Sequence, residues 1–158
     1  MKNKLVVNPI GTICMFVGSD LDSVLDRLKE VLPSMDEKWQ LLLVIVEEHK
    51  KTPRYSEIKH WTSKSDTMKV LFIDSGLEFQ RVIPLSHKVL IALNEVNTKY
   101  ITIVDESHIP VFEGLNKLVA NLVATENLTA IRGEVSTQDN FKKNQTLNEK
   151  NKVFPLGE

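Results

Sequence analysis

Asp105, Glu106, Ser107 and His108 stand together directly after the β-forming run YITIV, and Pro110 follows closely. Two carboxylates, a hydroxyl and an imidazole at the carboxyl end of a strand can hold a hard cation. Mg²⁺ or Mn²⁺ takes one or two carboxylates and completes its shell with water and phosphate oxygens. A cation held this way binds a diphosphate and stabilises it as a leaving group. His108 adds a softer ligand, less suited to such a metal. The same four residues also read as an ordinary turn in which Asp105 caps the helix that follows.

Other strand ends carry similar groups. Ser19 and Asp20 follow TICMFV, Glu47, Glu48 and His49 follow LLLVIV, and Asp74 and Ser75 follow KVLFI. The elements that must position them follow from periodicity. Residues 12–17 form a short buried strand, and 41–46 form an unbroken apolar strand of the kind buried on both faces. Strands are also expected over 69–74, 100–105 and 128–135.

Between them lie helices. LDSVLDRLKEVL, 21–32, puts Leu21, Val24, Leu25, Leu28, Val31 and Leu32 on one face, capped by Asp20 or Ser19 and stopped by Pro33. Residues 52–64 turn Ile58 and Trp61 inward. Residues 82–96 turn Val89, Leu90, Leu93 and Val96 inward, with Pro84 near the first turn. Residues 111–124 do the same with Leu115, Leu118, Val119 and Leu122. The order β-α-β-α-β-α-β-α-β predicts an α/β chain, three layers α/β/α around a mainly parallel sheet. Ligands in such folds bind beyond the carboxyl ends of the strands, where the strand order reverses. Residues 1–136 are expected to make one domain, and the polar, period-free 137–158 a loop or disordered tail.

Composition removes several classes of function. Twenty basic residues against 21 acidic ones leave a net charge of −1, without the basic footprint of a nucleic-acid binder. The single cysteine, Cys14, allows no internal disulfide and sits in an apolar run as a small hydrophobe. Asn8, Pro9 and Gly11 break up the amino-terminal apolar stretch, which argues against a signal peptide. No apolar run approaches the ~20 residues that span a bilayer. GxGxxG and GxxxxGK[ST] loops are absent, as is a GxSxG elbow. The four histidines, 49, 60, 87 and 108, lack zinc-ligand spacing. A receiver-type phospho-acceptor would need an acidic pair and a further aspartate around Mg²⁺, and Glu47, Glu48 and Asp74 are poorly spaced for it.

The stretch KVLIALNEVNTKYITIVDESHIPVFEGLNKLVANLVATENLTAIRGEV, 88–135, resembles the central part of family-2-type glycosyltransferases of the GT-A fold. A Lys-bearing helix, a TxY strand, an acidic DxD-like motif, a proline, an amphipathic helix and a strand ending in Gly occur in that order, at Lys88, Thr98, Tyr100, Asp105, Pro110 and Gly133. TICMFVGSDLDSVLDRL and LLLVIVEEH match the first and second strands, so the resemblance spans roughly 12–135. It implies a short GT-A-type, nucleotide-diphospho-sugar transferase-like domain. The nucleotide-sugar would be contacted by Ser19, Glu47, Glu48, Lys88, Asp105 and Glu106. A Mn²⁺ or Mg²⁺ ion would be held by Asp105 and Ser107. The location implied is cytoplasmic, peripheral to the inner membrane.

The chain departs from the family in three places. Phe16, Val17, Gly18 and Ser19 replace a Pro-Thr-x-Asn-like segment. Glu47 and Glu48 replace aspartates. Ser107 replaces the second acid of the DxD. The family also continues into an acceptor-binding half with the catalytic base of inverting members, and nothing after Gly133 resembles it. The alternative expectation is therefore a non-catalytic GT-A-like binding module, or a fragment of a larger transferase partnered by the acceptor half or another subunit.

Overall fold

The computed structural model describes residues 8–18, 20–74, 84–105, 108 and 110–125. They fall into two compact units divided between Pro110 and Val111. The strand expected at 128–135 and the tail at 137–158 lie outside the described residues, as do Ser19, Glu106 and Ser107.

The first unit holds four strands: β1 (Gly11–Val17), β2 (Trp39–Val46), β3 (Met68–Ile73) and β4 (Tyr100–Asp105). All pair in parallel, in the order β3-β2-β1-β4. The helices are α1 (Leu21–Val31), α2 (Tyr55–Lys64) and α3 (Leu85–Asn94). The chain is thus α/β with an all-parallel four-stranded sheet, compatible with three α/β/α layers.

Strand alternation sorts the core. Cys14, Phe16, Leu42, Val44 and Ile73 share one face with Ala92 of α3, and Val89 and Val96 pack beside them. On the other face Tyr55 of α2 meets Phe72 of β3 edge-to-face, with ring centroids 5.5 Å apart. The apolar stripe of α1 buries Leu21, Val24, Leu25 and Leu28. Asp20 caps this helix as expected, accepting from the Ser23 N–H at 3.0 Å.

Three expectations are corrected. The helix forecast at 52–64 begins only at Tyr55, because Glu47–Lys51 closes a tight 3-10 turn. Trp61 is half-buried and only Ile58 of α2 is fully buried. On α3 the packed line runs Val89–Ala92–Val96, so Leu90 and Leu93 sit on its flank, 62% and 40% exposed. The period was right there and the rotation of the face was not.

On the surface between α1 and α2, Arg54 gathers carboxylates. Its Nη2 lies 2.8 Å from Asp26, its Nε donates to Glu57 at 2.8 Å, and its Nη1 donates to the Asp22 carbonyl at 3.1 Å. Lys29 reaches the other Glu57 oxygen at 2.9 Å. The Arg54 hydrogen bond, then that of Lys29, pulls the Glu57 carboxyl from 4.5 down to about 2. A lowered folded-state value stabilises the fold above the unfolded value and loses that contribution as pH falls through the folded one. Stability should therefore decline between pH 4.5 and about 2 partly through Glu57. Arg54→Met should flatten that limb in denaturant titrations run across the window. The effect will be modest because these side chains face water.

The second unit contributes α4 (Phe112–Ala124). Leu115, Leu118, Val119 and Leu122 are half-buried along one side, and Lys117 pairs with Glu113 one turn back at 3.1 Å. Among the described residues no helix is long and apolar enough to cross a membrane.

Candidate functional site

The strand order turns at β1, which has β2 on one side and β4 on the other. Such a reversal leaves a crevice beyond the carboxyl ends, because the connections on its two sides leave in opposite directions. An open cleft of about 150 Å³ lies there. It is lined by Phe16, Val17 and Gly18 from the end of β1, Val44 of β2, Ile73 of β3, Lys88 of α3 and Asp105 of β4. All four strands and one helix converge on it. Its floor is apolar, and Lys88 and Asp105 bring one charge of each sign.

Each position has a local cause. Asp105 is the last residue of β4 and pairs in register with Phe16, which brings its carboxylate to the end of β1. Lys88 lies in the first turn of α3, one residue before Val89, whose packing on the core fixes the rotation of the helix. The turn after β4 closes through the His108 N–H, which donates to the Asp105 carbonyl at 3.2 Å. The His108 Nδ1 meets the Asp105 carboxylate in a short polar contact. His108 also lines a separate crevice with Met15, Val24, Leu28 and Pro110.

The other predicted contacts are distributed differently. Lys88 and Asp105 share the cleft. Glu47 and Glu48 are exposed on the 3-10 turn after β2 and do not line it, and Glu47 pairs with Lys50 at 2.9 Å. Ser19, Glu106 and Ser107 lie outside the described residues. Sequence reasoning passed over His49, whose Nε2 lies 2.7 Å from the Gly18 carbonyl across the strand ends. Only its place in the strand-end series EEH marked it.

A Mg²⁺ or Mn²⁺ ion would find Asp105 as its carboxylate here. Among the described residues no group of three or more metal-ligating side chains occurs. Of the residues lining the cleft, Asp105 alone carries a carboxylate, and that carboxylate is in contact with His108. Cys14 offers no nucleophile, since burial pushes its thiol up to about 11.

No protein family, curated protein or solved structure matches the chain.

Proposed function

We propose that this chain binds a nucleoside diphosphate, as the donor-recognition part of a GT-A-like, family-2-type glycosyltransferase domain. The observation carrying this reading is the shared placement of Lys88 and Asp105 in one cleft at the reversal of a parallel sheet. The lysine supplies a point charge for a phosphate, and Asp105 orients a divalent cation on the diphosphate. The apolar floor of Phe16, Val44 and Ile73 suits a part of the ligand that carries no charge. The cleft is small against the roughly 300–1,000 Å³ that encloses a whole drug-sized ligand. It seats one portion, with the remainder across the exposed strand-end loops. Sugar transfer would further require an acceptor site and a base, supplied by residues outside this cleft.

The test is calorimetric titration of the folded chain with UDP and GDP, with and without Mn²⁺, beside Asp105→Ala and Lys88→Ala. Binding that needs the cation and weakens about tenfold or more in both variants is the expected result. A folded chain that binds neither nucleotide at millimolar concentration would overturn the reading. It would favour the non-catalytic binding module instead. One observation supports that alternative: Ile101 and Ile103 of β4 are 38% and 48% exposed, and Leu90 and Leu93 of α3 are exposed as well.

A further inference from the structure

The loop between β1 and α1 is three residues long, 18–20, and Gly18 forms part of the cleft wall. One end of it is pinned by Asp20, which caps α1. The other end is held from a different element. The His49 Nε2 lies 2.7 Å from the Gly18 carbonyl oxygen, although 31 residues separate them in sequence. A carbonyl oxygen can only accept, so the imidazole must carry its proton on Nε2.

The turn that launches this imidazole is itself braced. The Thr52 N–H and hydroxyl both donate to the His49 carbonyl, at 3.1 and 2.7 Å. The neighbouring Lys50 ammonium sits 4.2 Å from the centroid of the Phe72 ring on β3. With the His49 backbone held by Thr52, and its neighbour Lys50 held over Phe72, the imidazole meets the Gly18 carbonyl at the cleft edge before any ligand arrives. Preorganisation of this kind removes the ordering cost that binding would otherwise carry.

From this geometry we infer that His49 is a positioning residue for the cleft. It clamps the Gly18 carbonyl so that Gly18 stands ready as part of the cleft wall. The inference rests on the nucleotide-binding reading for its functional consequence, and on the geometry alone for the clamp.

Two variants test it, His49→Ala and His49→Gln. The glutamine amide carries an N–H donor at nearly the same reach as Nε2, so it restores the bond without the ring. Two readouts are taken on each: affinity for UDP with Mn²⁺, and hydrogen–deuterium exchange of peptides covering residues 16–21 in the unliganded protein. Circular-dichroism melts confirm that both variants fold. His49→Ala should weaken binding roughly three- to tenfold, the size of one hydrogen bond. It should also speed exchange over 16–21, and His49→Gln should recover both to within about twofold. Wild-type affinity and wild-type exchange in His49→Ala would overturn the inference, as would a failure of His49→Gln to recover either. If the unsubstituted protein binds no nucleotide, the nucleotide reading falls, and the exchange data alone decide whether His49 holds the loop.

Discussion

Gly11→Ala should destabilise the chain by roughly 1–3 kcal/mol, the usual cost of forcing a methyl into a filled core. Gly11 opens β1 directly beside Trp39, the first residue of β2, and the two are partners in the parallel register. A Cβ at Gly11 would fall within 2.7 Å of Trp39 Cε3 and 2.8 Å of Cη2, closer than real carbon contacts allow. The indole cannot swing away cheaply, because it is 2% exposed and enclosed by the core. One effect works the other way. Replacing glycine by alanine restricts the unfolded chain and stabilises by about 0.4–1 kcal/mol where the native backbone accepts the change. Gly11 is in strand conformation and outside the left-handed region, so that gain is available here. The clash with the indole outweighs it, and the net effect is destabilising. Urea unfolding followed by tryptophan fluorescence measures it. Trp39→Leu in the Gly11→Ala background should recover part of the loss by making room. A Gly11→Ala midpoint at or above that of the unsubstituted protein would mean that the ring yields to the methyl.

The Gly11–Trp39 contact also shows what sequence reading could reach. In the sequence Gly11 read only as one of three residues, with Asn8 and Pro9, that interrupt the amino-terminal apolar stretch. Its actual reason is a ring 28 positions away, visible only once the register of β1 against β2 is known. LLLVIV was legible for the opposite reason. A strand buried on both faces needs an apolar residue at every position, and no partner has to be known. Helix faces lay between these cases. The α1 stripe was read correctly at Leu21, Val24, Leu25 and Leu28. On α3 the same period accommodates two rotations of the helix. The place of Ala92 in the buried cluster with Cys14 and Phe16 selects the one that leaves Leu90 and Leu93 on the surface.

The candidate site divides the same way. Residues at the carboxyl ends of parallel strands must lie along one edge, so Asp105 could be assigned to that edge from the alternation of elements alone. Lys88 came from the resemblance to a family-2 pattern, and it reaches the same cleft because Val89 beside it packs into the core. Glu47 and Glu48 belong to the same edge by that rule, yet the 3-10 turn carries them away from the cleft and turns His49 toward Gly18. Five residues of tight turn have no periodicity to read. Their side-chain directions depend on contacts with Thr52 and Phe72 that are made only in the folded chain.

At the opposite, amino-terminal end of the sheet, Thr12→Val should cost about 1–3 kcal/mol, and Gln40→Leu added to it should return much of that loss. Three side chains form a directed chain of hydrogen bonds there. The Thr98 hydroxyl donates to the Tyr100 carbonyl at 2.9 Å, which uses its only proton. The contact of 2.7 Å between the Thr98 and Thr12 oxygens must then be donated by Thr12. Thr12 in turn accepts from the Gln40 amide at 2.7 Å. Thr12 is 0% exposed and Gln40 6%, so neither finds water as a substitute partner. Among the described residues every buried side-chain nitrogen or oxygen has a partner, so the cluster starts fully satisfied. Valine at 12 keeps the shape of threonine and removes both of its hydrogen bonds. The Gln40 amide is then buried with a donor unmet, and Thr98 loses one donor to its oxygen. Leucine at 40 removes the stranded amide, and an apolar pair of similar volume is close to neutral in such a setting. The same double substitution predicts a coupling between the two sites, of opposite sign to the single losses, in a double-mutant cycle of urea midpoints. Additive losses at 12 and 40 would mean that the two side chains contribute separately, and the directed chain from Gln40 to Tyr100 would be wrong. Since Thr98 and Tyr100 are the two residues of the TxY pattern, the cycle also asks what that pattern does in this chain. The geometry makes it a structural latch, joining β4 to β1 and β2 at the end of the sheet away from the cleft.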